Sequence, residues 1–274
     1  MNEKKRQAFR LTAVLAGLVL GFSGLLATSA AAEPTTPAEP TTATEPSTAT
    51  EPTTEDNTPY IVGGGVVSQK KPWIAALHRD GGFTCTSTII AKRWVLTAAH
   101  CVAAAGKYTV RVGSLDRTTG GTTAKVSKVV KHPKYNWPTA DIALLQLDHD
   151  VNTTFAKLAG KSDLSDGKAV TVYGWGSEKA DWSGPLPKKL KYANGTITKV
   201  SCTDSNANPR VICTKTNGSI AGGDSGGPAV VRNSSGQELQ AGVCAIGHRP
   251  AGSGWAGYTS VVAFRDWIRS TAGV

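Results

Sequence analysis

Three short stretches of the 274-residue chain carry side chains whose chemistry is complementary. Thr97-Ala98-Ala99-His100-Cys101 offers an imidazole, and Asp141-Ile142-Ala143-Leu144-Leu145 opens an apolar strand on a carboxylate. Gly223-Asp224-Ser225-Gly226-Gly227-Pro228 holds a hydroxyl in a glycine-rich turn. A serine hydroxyl is a poor nucleophile unless a base takes its proton as it attacks. An imidazole can be that base, provided a carboxylate holds its tautomer and stabilises the imidazolium. Taken singly, each stretch has an ordinary reading: a satisfied histidine, a capping aspartate, a tight turn. A base, an orienting acid and a nucleophile in one chain point to nucleophilic acyl transfer.

The elements that must position these groups read as short strands. β-Branched and apolar segments recur between Gly, Asn, Pro and Ser: 73–79, 83–91, 108–113, 124–132, 141–147, 169–176, 227–232 and 257–262. Such spacing predicts an all-β barrel or sandwich. The tail differs, because Val261, Phe264, Trp267 and Ile268 recur at three- and four-residue intervals. That period predicts a closing amphipathic helix. The pattern leaves one large barrel or two small ones open.

The order His100, Asp141, Ser225 differs from that of subtilisins and α/β-hydrolases. With Ile61-Val62-Gly63-Gly64 and Gly174-Trp175-Gly176 it resembles the chymotrypsin/trypsin-like serine proteases, over nearly all of residues 61–274. The resemblance implies an all-β fold of two six-stranded antiparallel β-barrels with a C-terminal α-helix. The barrels would span 61–155 and 156–274, forming one peptidase domain with the three groups in the cleft between them. Ser225 would attack the scissile carbonyl, and His100 would accept its proton and pass it to the leaving amine. Asp141 would stay ionised and orient His100. Backbone N–H groups of Gly223 and Ser225 would form the oxyanion hole, where one lost donor costs on the order of a hundredfold in rate. The same resemblance pairs Cys85 with Cys101 and Cys202 with Cys213. Ala221 stands where many relatives carry a further bridging cysteine, which leaves Cys244 as a buried free thiol.

The resemblance also places Ser219 at the base of the primary specificity pocket. Gly247 and Ala256 would stand in its walls, with Ala245 and Ile246 along the substrate-binding edge strand. A neutral base and small walls predict an apolar or aromatic residue before the scissile bond, rather than Arg or Lys. A zymogen is implied as well: cleavage before Ile61 would free an ammonium group that pairs with Asp224. An unpaired buried carboxylate beside the nucleophile is otherwise expensive. The residue before the cut is Tyr60, so a pocket that takes Tyr would let the enzyme activate itself.

The first 60 residues read separately. Lys4, Lys5, Arg6 and Arg10 precede an apolar run from Leu11 to Leu26 and then Ala30-Ala31-Ala32, which describes a signal peptide over 1–32. Residues 33–60 continue as a Pro/Thr/Glu-rich propeptide with a six-residue period, predicted to be disordered. The expected product is therefore secreted and extracellular, with no membrane contact after signal removal.

A composition of 40% hydrophobic residues with 30 Gly and 14 Pro excludes collagen, coiled coil and wholesale disorder. Residues 61–274 hold 26 basic and 13 acidic side chains, a net +13. The lysines are scattered without aromatic interleaving, so no nucleic acid partner is predicted. Protein or peptide substrates and protein protease inhibitors are the expected partners of a monomer. No cofactor and no metal are expected. Asp148-His149-Asp150 reads as a solvated turn, Ser114–Thr123 has Asp116 as its only acid, and His78, His132, His149 and His248 stand without catalytic company. The rival to an active endopeptidase is a catalytically silent homologue acting as a binding or adhesion protein.

Overall fold

A computed structural model describes residues 61–274. The signal-peptide and propeptide segments, 1–32 and 33–60, lie outside the described residues. A short strand β1 (Gly65–Val66) precedes the first barrel, which consists of β2 (Ile74–Arg79), β3 (Gly82–Ala91), β4 (Trp94–Thr97), β5 (Tyr108–Val112), β6 (Thr122–Lys131) and β7 (Ala143–Leu147). These close in the order β2-β3-β4-β7-β6-β5, with β5 pairing back to β2. The second barrel consists of β8 (Ala169–Gly174), β9 (Lys191–Cys202), β10 (Val211–Thr216), β11 (Pro228–Arg232), β12 (Glu238–Gly247) and β13 (Trp255–Ser260). It closes as β8-β9-β10-β13-β12-β11, and β1 pairs with β9. All pairings between these strands are antiparallel, and closure of each barrel leaves only the two-residue β1 paired on one side.

Alternation explains the half-buried strands. In β5, Tyr108, Val110 and Val112 are buried while Thr109 and Arg111 face outward. In β6 only Ala124 is buried, so Lys125, Lys128 and Lys131 are solvated. Ile74, Leu77, Ile89, Leu96, Leu144 and Leu145 fill the first barrel. Ile197, Ile212, Val231 and Tyr258 fill the second, and Ile61 is buried among them. The closing helix, α1 (Arg265–Ala272), buries Ile268. Val261 and Phe264 are buried too, but in the turn before it.

Two details depart from the sequence reading. Asp141 does not open a strand; it lies two residues before β7, after Ala140 in a left-handed conformation with φ 50°. And β9 runs straight through Asn194-Gly195, in a stretch absent from the strand segments named from the sequence. The glycine is there for space: a Cβ on Gly195 would come within 2.0 Å of the Lys215 carbonyl oxygen.

Candidate active site

His100 opens a single 3-10 turn, His100–Val102, just after β4. A disulfide from Cys101 to Cys85 on β3 fastens that turn to the barrel wall. Asp141 is completely buried, and both its carboxylate oxygens face His100. One accepts the His100 backbone N–H at 2.8 Å, and the other lies 2.5 Å from Nδ1. The ring is thereby held with Nε2 turned from the acid, 3.8 Å from Cys101 Sγ, and His100 and Ser225 line one cavity. From the other barrel, Thr259 Oγ1 donates to the Asp141 carbonyl at 3.0 Å, which fixes the loop that carries the acid.

Ser225 sits in the turn 223–227, between β10 and β11. The N–H groups of Asp224, Gly226 and Gly227 donate to the carbonyls of Ala221, Cys244 and Asp224. Those of Gly223 and Ser225 have no acceptor among the described residues, so two adjacent donors remain available to a developing oxyanion. Gly223 has φ 106°, and a Cβ there would press on the Trp175 carbonyl at 3.0 Å. At Gly226 a Cβ would meet Thr97 Oγ1 at 2.2 Å. The nucleophile turn of the second barrel thus lies directly on β3 and β4 of the first. Thr86 pins it: its N–H donates to the Ser225 carbonyl at 2.9 Å and its hydroxyl to the Gly223 carbonyl at 3.0 Å.

The cavity at Ser225 has a volume of about 510 Å³. Ala245, Ile246 and Gly247 line it, as does Cys244. Ser219 and Ala256 do not; both are buried next to it. The Ser219 hydroxyl accepts the N–H groups of Gly252 and Gly254 at 3.0 and 2.7 Å, so it is turned into the protein. Ile220 takes up the space instead, packed so closely on Gly247 that a Cβ there would meet its Cγ1 and Cδ1 at 2.8 Å. Three wall residues escaped the sequence reading: Ile220, Trp137 and Trp182. Trp182 adopts φ 64°, and Arg249 stacks over its ring at 5.8 Å. The one signal in the sequence was an isoleucine wedged between two small residues ahead of the serine turn.

At the other end of this region, Ile61-Val62-Gly63-Gly64 docks on residues 217–219. Val62 O accepts the Ser219 N–H at 2.9 Å, and a Cβ on Gly63 would meet Asn217 O at 2.9 Å. Ile61 is fully buried and has φ 39°, a strained conformation for a β-branched residue. Asp224 is buried as well, accepting the N–H groups of Gly176 at 2.7 Å and Ala221 at 2.9 Å. Burial pushes its pKa up to about 7, against the pull of those two donors.

Both expected disulfides are present, the second joining Cys202 to Cys213, and Cys244 is a buried free thiol. Burial raises that thiol's pKa well above its ordinary value, followed by the charges of Asp224 and Asp141. The sulfurs near His100 are bonded to each other and offer no thiolate to a metal. Asp148, His149 and Asp150 are exposed, with Asp148 paired to His149 and Asp150 to Arg93. His132 packs edge-on against Phe264 and Trp267, and His248 stacks on Trp255.

Comparison with known proteins agrees with this geometry. The sequence profile of the trypsin family matches residues 61–268. Trypsin beta of Drosophila erecta is 34% identical, over 77% of this chain and 88% of its own. Trypsin alpha of Drosophila melanogaster is 34% identical, over 77% and 87%. Among solved structures, human heparin binding protein superimposes with a TM-score of 0.65 at 28% identity, covering 77% of this chain and 96% of that one. Neuropsin, a serine protease expressed in mouse brain, gives 0.66 at 25%, covering 77% and 98%. The chain belongs to the trypsin family and is a serine endopeptidase.

Proposed function

We propose that the chain is exported as a zymogen, is activated by a cut before Ile61, and then cleaves proteins after apolar residues. The observation that carries the catalytic part is the placing of Ser225 and an Asp141-oriented His100 on one cavity, with two unengaged N–H groups in the turn that holds Ser225. His100 takes the Ser225 proton as Oγ attacks the scissile carbonyl. The N–H groups of Gly223 and Ser225 receive the negative charge on the carbonyl oxygen. The same imidazolium then protonates the leaving amine, and a water repeats the sequence in reverse to release the acid.

Substrate preference follows from the wall. Among the described residues no acid stands in the lining to pair with Arg or Lys, and Ile220 against Gly247 limits depth. We read the preferred residue as Val, Leu or Ala in place of the aromatic ones. Tyr60 is then a poor fit, and the activating cut falls to another protease. The basic signal-like N-terminus supports export, and no helix among the described residues is long and apolar enough to cross a membrane. Closed barrels whose only one-sided strand is the two-residue β1 support a monomer.

The test is to cut the chain before Ile61, incubate it with a mixed peptide library and map the cleavage sites. Cuts after Val, Leu or Ala that vanish in Ser225→Ala are expected. Cuts after Arg or Lys would overturn the pocket reading, and no cuts at all would overturn the catalytic one.

A further inference from the structure

Two loops of the second barrel are stitched together beside the Ser225 cavity: residues 175–190 between β8 and β9, and residues 248–254 between β12 and β13. The Ala251 N–H donates to the Ala180 carbonyl at 2.7 Å, and Arg249 Nε to the Asp181 carbonyl at 3.1 Å. The first loop is also tied to the serine turn, because the Ser177 N–H donates to the Gly222 carbonyl at 2.8 Å. An ion pair at 2.8 Å joins its Glu178 to the buried Lys191 of β9. Between these fixed points the backbone of Trp182 is left-handed, with φ 64°. That conformation is costly for a bulky residue and easy for glycine. Such strain persists only where the surroundings impose it. Here it delivers an indole to the cavity lining. Gly222, directly before the turn 223–227, has no side chain, and a Cβ there would lie 3.6 Å from Trp182 Cε3. The ring thus covers the Gly222 backbone, with the Arg249 guanidinium 5.8 Å from its centre.

We propose that Trp182 is a specificity-determining residue that closes the cavity over the side chain before the scissile bond, and that Arg249 is the positioning residue that holds it there. The proposal rests on the reading of the Ser225 cavity as the seat of that side chain. An indole offers a broad, rigid apolar face, and the area it covers grows with the side chain beneath it. Leu therefore gains more from it than Ala. A cation stacked on the ring and bonded to the carbonyl before it keeps the ring from swinging outward.

The experiment uses the chain cut before Ile61, with rates normalised by active-site titration. One peptide series varies only the residue before the scissile bond, among Ala, Val and Leu, and a second varies only the residue after it. Trp182→Gly suits the local backbone and deletes the ring. It should lower kcat/KM for Leu about tenfold, through KM, and for Ala far less. Trp182→Phe should recover most of that loss. Arg249→Ala should shift the Leu-to-Ala ratio the same way, and Arg249→Lys, which keeps a cation over the ring, should restore it. The proposal falls if Trp182→Gly leaves the Leu-to-Ala ratio unchanged, if kcat alone drops, or if selectivity changes only in the second series. The assignment of Arg249 falls if Arg249→Ala leaves the ratio where it was. Cuts by the unmutated enzyme after Arg or Lys would overturn the pocket reading and this proposal with it, whereas the other outcomes leave that reading in place.

Discussion

At the scale of single residues, the candidate reacting groups were the most legible part of the sequence. His100, Asp141 and Ser225 are recognisable because few other arrangements make use of all three chemistries in that order. Ser219 shows where such reading stops. Its position in the chain is where the family places a pocket base, but its hydroxyl is drawn inward by Gly252 and Gly254, more than thirty residues away. The neighbouring Ile220 matters only because Gly247 lets it approach, and that contact is invisible until β12 is placed beside it. Shortening it should therefore deepen the cavity. Ile220→Ala is expected to raise kcat/KM for peptides with Phe before the cut relative to Val by at least tenfold. A few methylenes are worth about 1–3 kcal/mol in such a pocket. Unchanged ratios across a substrate series would place the size limit elsewhere.

At the scale of elements, strands with a clean alternation were readable, and those without it were not. β9 carries an internal Asn-Gly, and β12 has a continuous buried run from Leu239 to Cys244, so neither shows a two-residue period. What no periodicity reveals is the seam between the barrels. Thr86, Thr88 and Thr97 are fully buried polar residues whose hydroxyls work across it or along it. Thr86 holds the Gly223 carbonyl and accepts the Trp175 N–H at 3.3 Å, so its hydroxyl braces the turn that carries the two unengaged N–H groups. Thr86→Val keeps the shape and deletes both bonds. We expect kcat to fall about tenfold with KM little changed, and stability to fall by about 1–3 kcal/mol. An equal loss in KM would indicate that the substrate cleft as a whole had shifted.

At the scale of the whole molecule, Asp224 ties folding to pH. Its pKa stands at about 7 in the described fold, against an ordinary value near 4 in an unfolded chain. The folded state therefore holds that proton more tightly than the unfolded one. The uncut chain loses stability as pH rises from about 4 to about 7, and the loss is complete above that window. One pKa unit is about 1.4 kcal/mol, so the effect is on the order of a few kcal/mol. Melting curves of the uncut Ser225→Ala chain should show this slope, and adding Asp224→Asn should flatten it. Cutting before Ile61 should flatten it too if, as proposed, the new ammonium group pairs with the carboxylate. A slope that survives both changes would assign the titration to another group.

Ile61 gives the cut a direction. In the uncut chain its backbone is held at φ 39°, where a β-branched residue is strained, although its side chain is already seated in the second barrel. Hydrolysis of the preceding peptide bond removes the acyl group that defines this torsion, leaving the amine free to turn while the side chain stays put. Rejoining the ends would have to restore the strain. If the cut activates the enzyme as proposed, the step would behave as a latch with no route back to the uncut form. Restraint after it would then have to come from something that fills the cleft.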